Sequence, residues 1–306
     1  MTQKEALEDY MDQIIAIVGP TGVGKTKLSV SLAKILNGEI INADSTQVYK
    51  ELDIATAKVT EDEKENIPHH LFDIKNIEEN YTVYDYQKDC RAKIAEIKKR
   101  GKTPIIVGGT GLYIKAALYD YNFSLENISN SYDNTSTIDL YNKLKEIDNS
   151  TLIHPNNRKR IIRALNYYEN NNNSISSKEK SNKLLYDVIF IGLTTDRDIL
   201  YDRINKRVDE MVSNGLIDEA LNLYNKKIDT KAVMTPIGYK ELFSYFDHNI
   251  SFDEAINLIK KRSRNYAKRQ YTWNNHQIPV KWFDVNFDNF SSTISDVANY
   301  ISNFKE

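Results

Sequence analysis

The sequence predicts an α/β fold: a parallel sheet with helices on both faces, interrupted by a small helical insertion. Three observations predict it. Short continuous apolar runs, at Ile14–Val18, Pro104–Val107 and Tyr186–Leu193, recur between stretches of helical periodicity. Runs of that length read as strands buried on both faces, the habit of parallel sheets. Between residues 119 and 184 the strand signals thin out and two helical patterns replace them, and after Asp196 the chain reads as almost wholly helical to Asn275. Strands alternating with helices make the sheet, and the helical stretch between two of them makes the insertion.

Taken in order, Ile14–Val18 is the first strand and ends at Gly19. Lys27–Leu36 follows as a helix with Leu28, Val30, Leu32, Ile35 and Leu36 apolar, closed by Asn37-Gly38. Glu39–Asn42 is a second strand and runs into Ala43-Asp44-Ser45. Val83–Arg100 reads as a helix with Ile94 and Ile97 on its apolar face and Gly101 as its stop. Pro104–Val107 is a buried strand ending in Gly108-Gly109-Thr110-Gly111. Thr137–Ile147 and Asn156–Glu169 are the helices of the insertion, followed by an Asn/Ser-rich mobile loop at Asn170–Ser177. Tyr186–Leu193 returns to the sheet, and Val280–Phe283 is a last short strand. The expected organisation is a first core part at 1–118, the helical insertion at 119–184 and a second core part at 185–306.

Composition narrows the function classes. The 306 residues are 41% hydrophobic and 27% charged, ordinary globular values. No apolar run approaches the roughly 18 residues that span a bilayer. The opening MTQKEALEDYMDQ lacks the basic start and apolar core of a secretory signal. Cys90 is the single cysteine, so neither an internal disulfide nor a thiolate zinc site can form. The adjacent His69-His70 point apart and lack further ligands for a metal. A reducing cytoplasm is the expected compartment. The net charge of −2 means that nucleic-acid contact must come from local patches. Two are present. Residues 154–163 carry Arg158, Lys159, Arg160 and Arg163 without an acid. Residues 255–283 carry Lys260, Lys261, Arg262, Arg264, Lys268, Arg269 and Lys281, again without an acid. Tyr266, Tyr271 and Trp273 lie in the same span and could stack on bases; for Trp273 a place in the core is the better reading.

The sharpest motif is Gly19-Pro20-Thr21-Gly22-Val23-Gly24-Lys25-Thr26, which fits G-x-x-x-x-G-K-[ST] between a strand and a helix. Glycines let successive backbone N–H groups turn toward phosphate oxygens, and the helix N-terminus adds its dipole. Lys25 supplies a point charge, and the Thr26 hydroxyl can hold Mg²⁺. The fold class is therefore a P-loop NTPase-like core. Hydrolases of this class usually place an acid at the end of another strand to hold the metal. Here the third strand ends in Gly108-Gly109-Thr110, and the second supplies Asp44 at the sheet edge where a substrate should sit.

Further blocks follow in a specific order. They are Asp44-Ser45-Thr46-Gln47-Val48-Tyr49, Asp53-Ile54-Ala55-Thr56-Ala57-Lys58, His69-His70-Leu71-Phe72-Asp73-Ile74 and Gly108-Gly109-Thr110-Gly111-Leu112-Tyr113. The stretch Ile153–Leu165 comes next, then Arg203–Met211, Ile237-Gly238-Tyr239-Lys240-Glu241 and Tyr266–Trp273. Together they resemble the bacterial tRNA dimethylallyltransferase family, over nearly the whole chain from Ile14 to Trp273. The resemblance implies transfer of a dimethylallyl group from dimethylallyl diphosphate to the exocyclic amine of the adenosine just 3′ of the anticodon, with Mg²⁺ as cofactor. It also implies that the insertion grips the anticodon stem-loop of the tRNA. Ala55 stands where the family usually has glycine, which demands ordinary backbone angles there. Residues 119–150 are short for the family, which implies an insertion lacking one helix.

That chemistry assigns roles. Adenine's exocyclic amine is a poor nucleophile, so a carboxylate must orient it and take its proton, and Asp44 is the candidate base. The departing diphosphate falls to Lys25, the loop amides of residues 19–26, and Mg²⁺ on Thr26. Arg203 and Arg207, four apart on one helix face, suit a diphosphate clamp, with Arg207 the stronger candidate. Thr110 is expected on the substrate, near the diphosphate or the amine. The resemblance assigns Asp44, Ser45, Thr46 and Gln47 to the target adenosine and its neighbours, with Gln47 able to pair bidentately with a base edge. The adenosine must leave its stack to reach Asp44. Lys159, Arg160, Ile161, Ile162, Arg163, Lys260, Arg264 and Lys268 are the remaining tRNA candidates. A monomer away from membranes is expected. Two other enzyme readings share the loop: a prenyltransferase acting on free adenine nucleotides and a small-molecule P-loop kinase. Neither needs the insertion or the basic patches. A nonenzymatic RNA-binding protein would tolerate loss of Lys25 and Asp44, and both are intact.

Overall fold

The computed structural model describes residues 13–121, 123, 132, 134–174 and 183–304. The N-terminal stretch before Gln13 and the end of the Asn/Ser-rich segment, 175–177, lie outside the described residues. So does most of 122–133, on which the shortened-insertion reading rests. In chain order the elements are β1 (Gln13–Val18), α1 (Lys25–Ile35), β2 (Gly38–Asn42), α2 (Glu61–Lys64), β3 (His69–His70), α3 (Val83–Lys99), β4 (Thr103–Val107) and α4 (Gly111–Leu118). Then come α5 (Thr137–Ile147), α6 (Arg158–Asn171), β5 (Asp187–Thr194), α7 (Arg197–Ser213), α8 (Leu216–Asn225) and α9 (Lys231–Met234). The chain closes with α10 (Tyr239–Phe246), α11 (Phe252–Gln277), β6 (Lys281–Asp284) and α12 (Phe290–Asn303). No described helix is long and apolar enough to cross a membrane.

Six parallel strands form one sheet in the order β3-β2-β4-β1-β5-β6. All six residues of β1 are buried, as a central parallel strand requires. Side chains alternate between faces. Ile14, Ala16 and Val18 therefore join one apolar layer with Tyr86, Ile94 and Tyr239, while Ile15 and Ile17 join another with Leu28, Leu32 and Val297. Ile35 departs from the expected apolar face of α1 and is half exposed. Cys90 lies buried in the first layer, and burial pushes its thiol up to about 12, so it stays protonated.

Four elements had no sequence signal strong enough to read. α4, eight residues long, directly follows the glycine-rich turn after β4. β3 is two residues long. α2 is one turn, held by a capping box between Thr60 and Glu63. α12 is rich in Ser, Asn and β-branched residues, poor helix formers. Its helix forms because Phe290, Thr293, Val297 and Ile301 share one buried face against the sheet.

The chain divides into two compact units: residues 1–119 with 184–306, and residues 120–183. The second holds α5 and α6, with Leu140, Leu144, Ile161, Ala164 and Leu165 in its core at helical spacing. Ser136 caps α5 by accepting from the Asp139 N–H, and Asn157 caps α6 by accepting from Arg160. The Arg158 guanidinium donates to the carbonyls of Tyr132 and Thr135, so this charge of the first basic patch works inside the unit.

At the end of the sheet away from the phosphate loop, buried Glu39 accepts from Arg100 Nη2 at 2.6 Å, Lys102 Nζ at 3.0 Å and His70 Nε2 at 2.6 Å. Burial alone would raise its pKa. The hydrogen bonds from Arg100, His70 and Lys102 outweigh burial and hold it at about 2 instead of 4.5. Because the folded value is depressed, the stabilisation is complete above about pH 4.5 and is lost as pH falls through 2. Glu39→Gln should cost about 3 kcal/mol at pH 7 and less than half of that at pH 3, measured by urea unfolding at the two pH values.

Candidate active site

The sheet register places three turns side by side. Ile17 is level with Val107, and Val107 with Asn42, so the turns after β1, β4 and β2 leave the sheet at one height. They are the phosphate loop, Gly108–Thr110 and Ala43–Gln47. α7 adds Arg203 and Arg207, and α11 adds Tyr266 and Gln270. All of these elements line one cavity of about 700 Å³. This is the carboxyl-end crevice where open α/β sheets bind ligands.

The phosphate loop closes onto α1 through Gly24, which has φ 99. A Cβ there would stand 2.7 Å from the Phe290 ring, so both backbone angle and space demand glycine. Thr21, Gly22, Gly24, Lys25 and Thr26 line the cavity. Gly19, Pro20 and Val23, offered as phosphate contacts, do not: all three are buried, Val23 in the core. Gly19 and Pro20 instead present carbonyls to the Lys25 ammonium, at 3.0 and 2.8 Å. Burial, then the Arg207 charge, pull the Lys25 pKa down to about 7, against the raising effect of Asp44. Arg207 Nη1 donates to Thr21 Oγ1 at 2.9 Å. Arg203 Nε donates to the Gly22 carbonyl at 3.2 Å, and its guanidinium lies 3.8 Å from the Phe287 ring centroid. Both arginines thus reach the phosphate loop from the same helix.

On the opposite side, Thr46 fixes Asp44. Its N–H and hydroxyl both donate to Asp44 Oδ1, at 2.9 and 2.7 Å. Oδ2 is turned toward Gly109, where a Cβ would meet it at 3.4 Å. Thr110 Oγ1 accepts from the Ser45 N–H at 3.0 Å and donates to Ser45 Oγ at 3.2 Å, tying the second and third turns together. Gln47 lines the cavity, and its Nε2 donates to the carbonyls of Thr56 and Ala57, at 2.9 and 3.1 Å, which braces the 52–57 turn. Glu219 braces the same turn by accepting the N–H groups of Asp53, Ile54 and Ala55. The left-handed residue of this turn is Ala57, with φ 49.

Of the tRNA candidates, Ile161 is wholly buried and offers no side chain to RNA, a correction, while Ile162 packs against the same core and stays partly exposed. Lys159, Arg160 and Arg163 are exposed on α6. In α11 the acids missing from the local sequence come from other helices: Asp209 pairs with Lys260 at 2.6 Å, and Glu241 with Arg262. Arg264 donates to Asn205 Oδ1. Lys261 and Lys268 remain on the exposed face of α11. Tyr271 stacks at 4.6 Å on Trp282, and Trp273 covers Gly111, so both act in packing. Tyr266 lines the cavity, its phenol in reach of Thr110 and Gln270. Gln270 and Glu219 were invisible to hydrophobic periodicity because a polar side chain turned inward reads as surface. Their only signal is helical position, Gln270 lying three residues after buried Ala267.

A profile of IPP transferase matches residues 47–277. The chain belongs to the IPP transferase family. It is 48% identical over 299 residues to a protein of Anoxybacillus flavithermus named tRNA dimethylallyltransferase, with 95% of this chain and 96% of the relative covered. The structure is similar to the full-length tRNA isopentenylpyrophosphate transferase of Bacillus halodurans, with TM-score 0.74, 44% identity and coverage of 95% of this chain and 96% of that one. It also matches a eukaryotic dimethylallyltransferase described as acting on tRNA, with TM-score 0.83, 30% identity and coverage of 95% and 79%. The sheet is the P-loop NTPase-like core that these IPP transferase structures have.

Among the described residues no group of three or more His, Cys, Asp or Glu side chains could cage a metal. His70 is instead committed to Glu39, and His69 Nδ1 to the Ile67 carbonyl. What fits Mg²⁺ in this protein is the exposed Thr26 hydroxyl at the cavity wall beside Lys25. Mg²⁺ commonly takes one or two protein oxygens and completes its shell with phosphate oxygens and water.

Proposed function

We propose that this protein transfers a dimethylallyl group from dimethylallyl diphosphate to the exocyclic amine of the adenosine 3′-adjacent to the anticodon in tRNA, releasing diphosphate. The observation that carries the reading is the placement of Asp44 and the Lys25–Arg207 pair on one cavity, with the names of the relatives supplying the substrates. The diphosphate lies against the phosphate loop, Lys25 and Arg207, which receive the charge that builds as the allylic C–O bond stretches. Mg²⁺ on Thr26 would add positive charge at the leaving oxygens. Asp44 Oδ2 accepts the amine proton while Thr46 holds Oδ1 still. A cavity of about 700 Å³ has room for a flipped base beside a five-carbon tail, and the adenosine enters it out of its stack. A monomer working in the cytoplasm, where tRNA is found, is part of this reading.

The test is transfer of labelled dimethylallyl diphosphate, with Mg²⁺, to unmodified tRNA and to AMP in parallel. Label on tRNA alone is expected. Label on AMP alone would move the protein to the free-nucleotide prenyltransferases, and label on neither would remove the prenyl-transfer reading. The exposed cations Lys261 and Lys268 on α11 favour the nucleic-acid substrate. Lys261→Ala/Lys268→Ala should weaken tRNA binding and lower the slope of log K against log salt by about one to two, read by filter binding across a salt series. Lys260→Ala, whose lysine is paired with Asp209, should leave that slope unchanged.

A further inference from the structure

We infer that Gln270 is a positioning residue that straps the diphosphate half of the site to the adenosine half. The inference rests on the prenyl-transfer reading above. Gln270 is 5% exposed and sits between two of the three turns. Its Oε1 accepts the Thr21 N–H at 2.9 Å, and its Nε2 donates to the Gly109 carbonyl at 3.2 Å. Each end leads directly to a reacting group. Thr21 holds Arg207 on the leaving-group side. Gly109 precedes Thr110, which binds Ser45, the neighbour of Asp44.

The chemistry of the strap is specific. An N–H of the phosphate loop donates to a side chain, so that amide is committed to fixing the loop. A primary amide presents an acceptor and a donor, on one planar group and at every pH, to an N–H on one side and a carbonyl on the other. The fit also accounts for Gly109. A Cβ there would lie 2.1 Å from Gln270 Nε2 and 3.4 Å from Asp44 Oδ2, so the side chain excluded is specifically one that displaces the strap. Each turn has anchors of its own: Lys25 holds the phosphate loop, and Ala43 accepts the Thr110 N–H at 3.0 Å. Losing Gln270 therefore leaves two intact binding surfaces whose separation is held by the sheet pairing alone. Bond formation between an amine and an allylic carbon depends on that separation, and a displacement of about 1 Å can cost roughly a hundredfold in rate.

The experiment measures single-turnover transfer at saturating substrates, together with Kd for dimethylallyl diphosphate and for tRNA, in the wild type, Gln270→Leu, Gln270→Glu and Gly109→Ala. Wild-type transfer to tRNA establishes the underlying reading independently of the variants. Gln270→Leu and Gly109→Ala should lower the transfer rate about 30- to 100-fold with both Kd values within about threefold. Gln270→Glu should behave differently with pH. Ionised, it sets a carboxylate oxygen against the Gly109 carbonyl; protonated, it donates there as the amide does. Its rate relative to wild type should rise at least fivefold from pH 9 to pH 6. Lys25, Asp44, Tyr266 and Arg207 face the same space, and the wild-type rate at each pH supplies the reference. Rates within twofold of wild type for Gln270→Leu, weakening of Kd in step with rate, or a pH-independent ratio for Gln270→Glu would each overturn the inference. Should Gln270→Leu fail to fold, Gln270→Glu and Gly109→Ala decide the matter by the same criteria.

Discussion

Asp44→Asn should slow prenyl transfer about a thousandfold while leaving tRNA affinity within about threefold. The substitution is chosen for what it keeps. Thr46 donates its N–H and its hydroxyl to Oδ1, and an asparagine carbonyl oxygen can accept both. The turn that carries Ser45, and with it the bond to Thr110, therefore stays in place, and the change falls on the Oδ2 position facing Gly109. There a basic oxygen becomes an amide nitrogen that cannot take a proton from the adenosine amine. Asp44→Ala would be less informative, because it also releases Thr46. Single-turnover transfer and filter binding separate the two effects. A rate within tenfold of wild type would remove Asp44 as the proton acceptor, and a parallel loss of tRNA affinity would make it a binding group.

Lys25→Met should lower transfer by a similar factor, and it carries a second, independent signature in proton linkage. The Lys25 ammonium is buried and faces Arg207, which together pull its pKa to about 7 despite Asp44. A bound diphosphate restores the favourable partner and raises that value. At pH 8 the free enzyme holds Lys25 about 90% neutral, so binding must take up close to one proton. At pH 6 the group is already charged and takes up little. Titration calorimetry with dimethylallyl diphosphate at pH 8, in two buffers of different ionisation enthalpy, reads the uptake directly. Wild type should show about one proton per ligand at pH 8 and Lys25→Met close to none. Affinity for the wild type should fall as pH rises from 7 to 9, the direction opposite to that given by ionisation of the ligand alone. Equal proton uptake in both proteins would mean that Lys25 does not meet the phosphates.

The two halves of the site were not equally legible. The phosphate loop could be read because its chemistry is local: eight consecutive residues make the turn, the cation and the hydroxyl. Asp44 and Thr110 could be placed because both follow buried strands and parallel strands deliver their carboxyl ends to one edge. The basic run of α11 was less legible for the opposite reason. Charge counted along a helix takes no account of partners from other helices, and Asp209, Glu241 and Asn205 engage three of its cations. Gln47 was less legible because a side chain able to read a base can equally satisfy two backbone carbonyls.

The sequence by itself determined the alternation of buried strands and helices, the insertion between β4 and β5, the phosphate loop and the carboxylate, Asp44, that shares its cavity. Those features depend on hydrophobic period, turn chemistry and consecutive residues. Only the tertiary structure decided that Gly19, Pro20 and Val23 shape the loop from behind, that Ile161 belongs to a core, and that Gln270 joins two turns. Each of these depends on what lies across space from a side chain, and in Gln270 the two partners are 249 and 161 residues away along the chain.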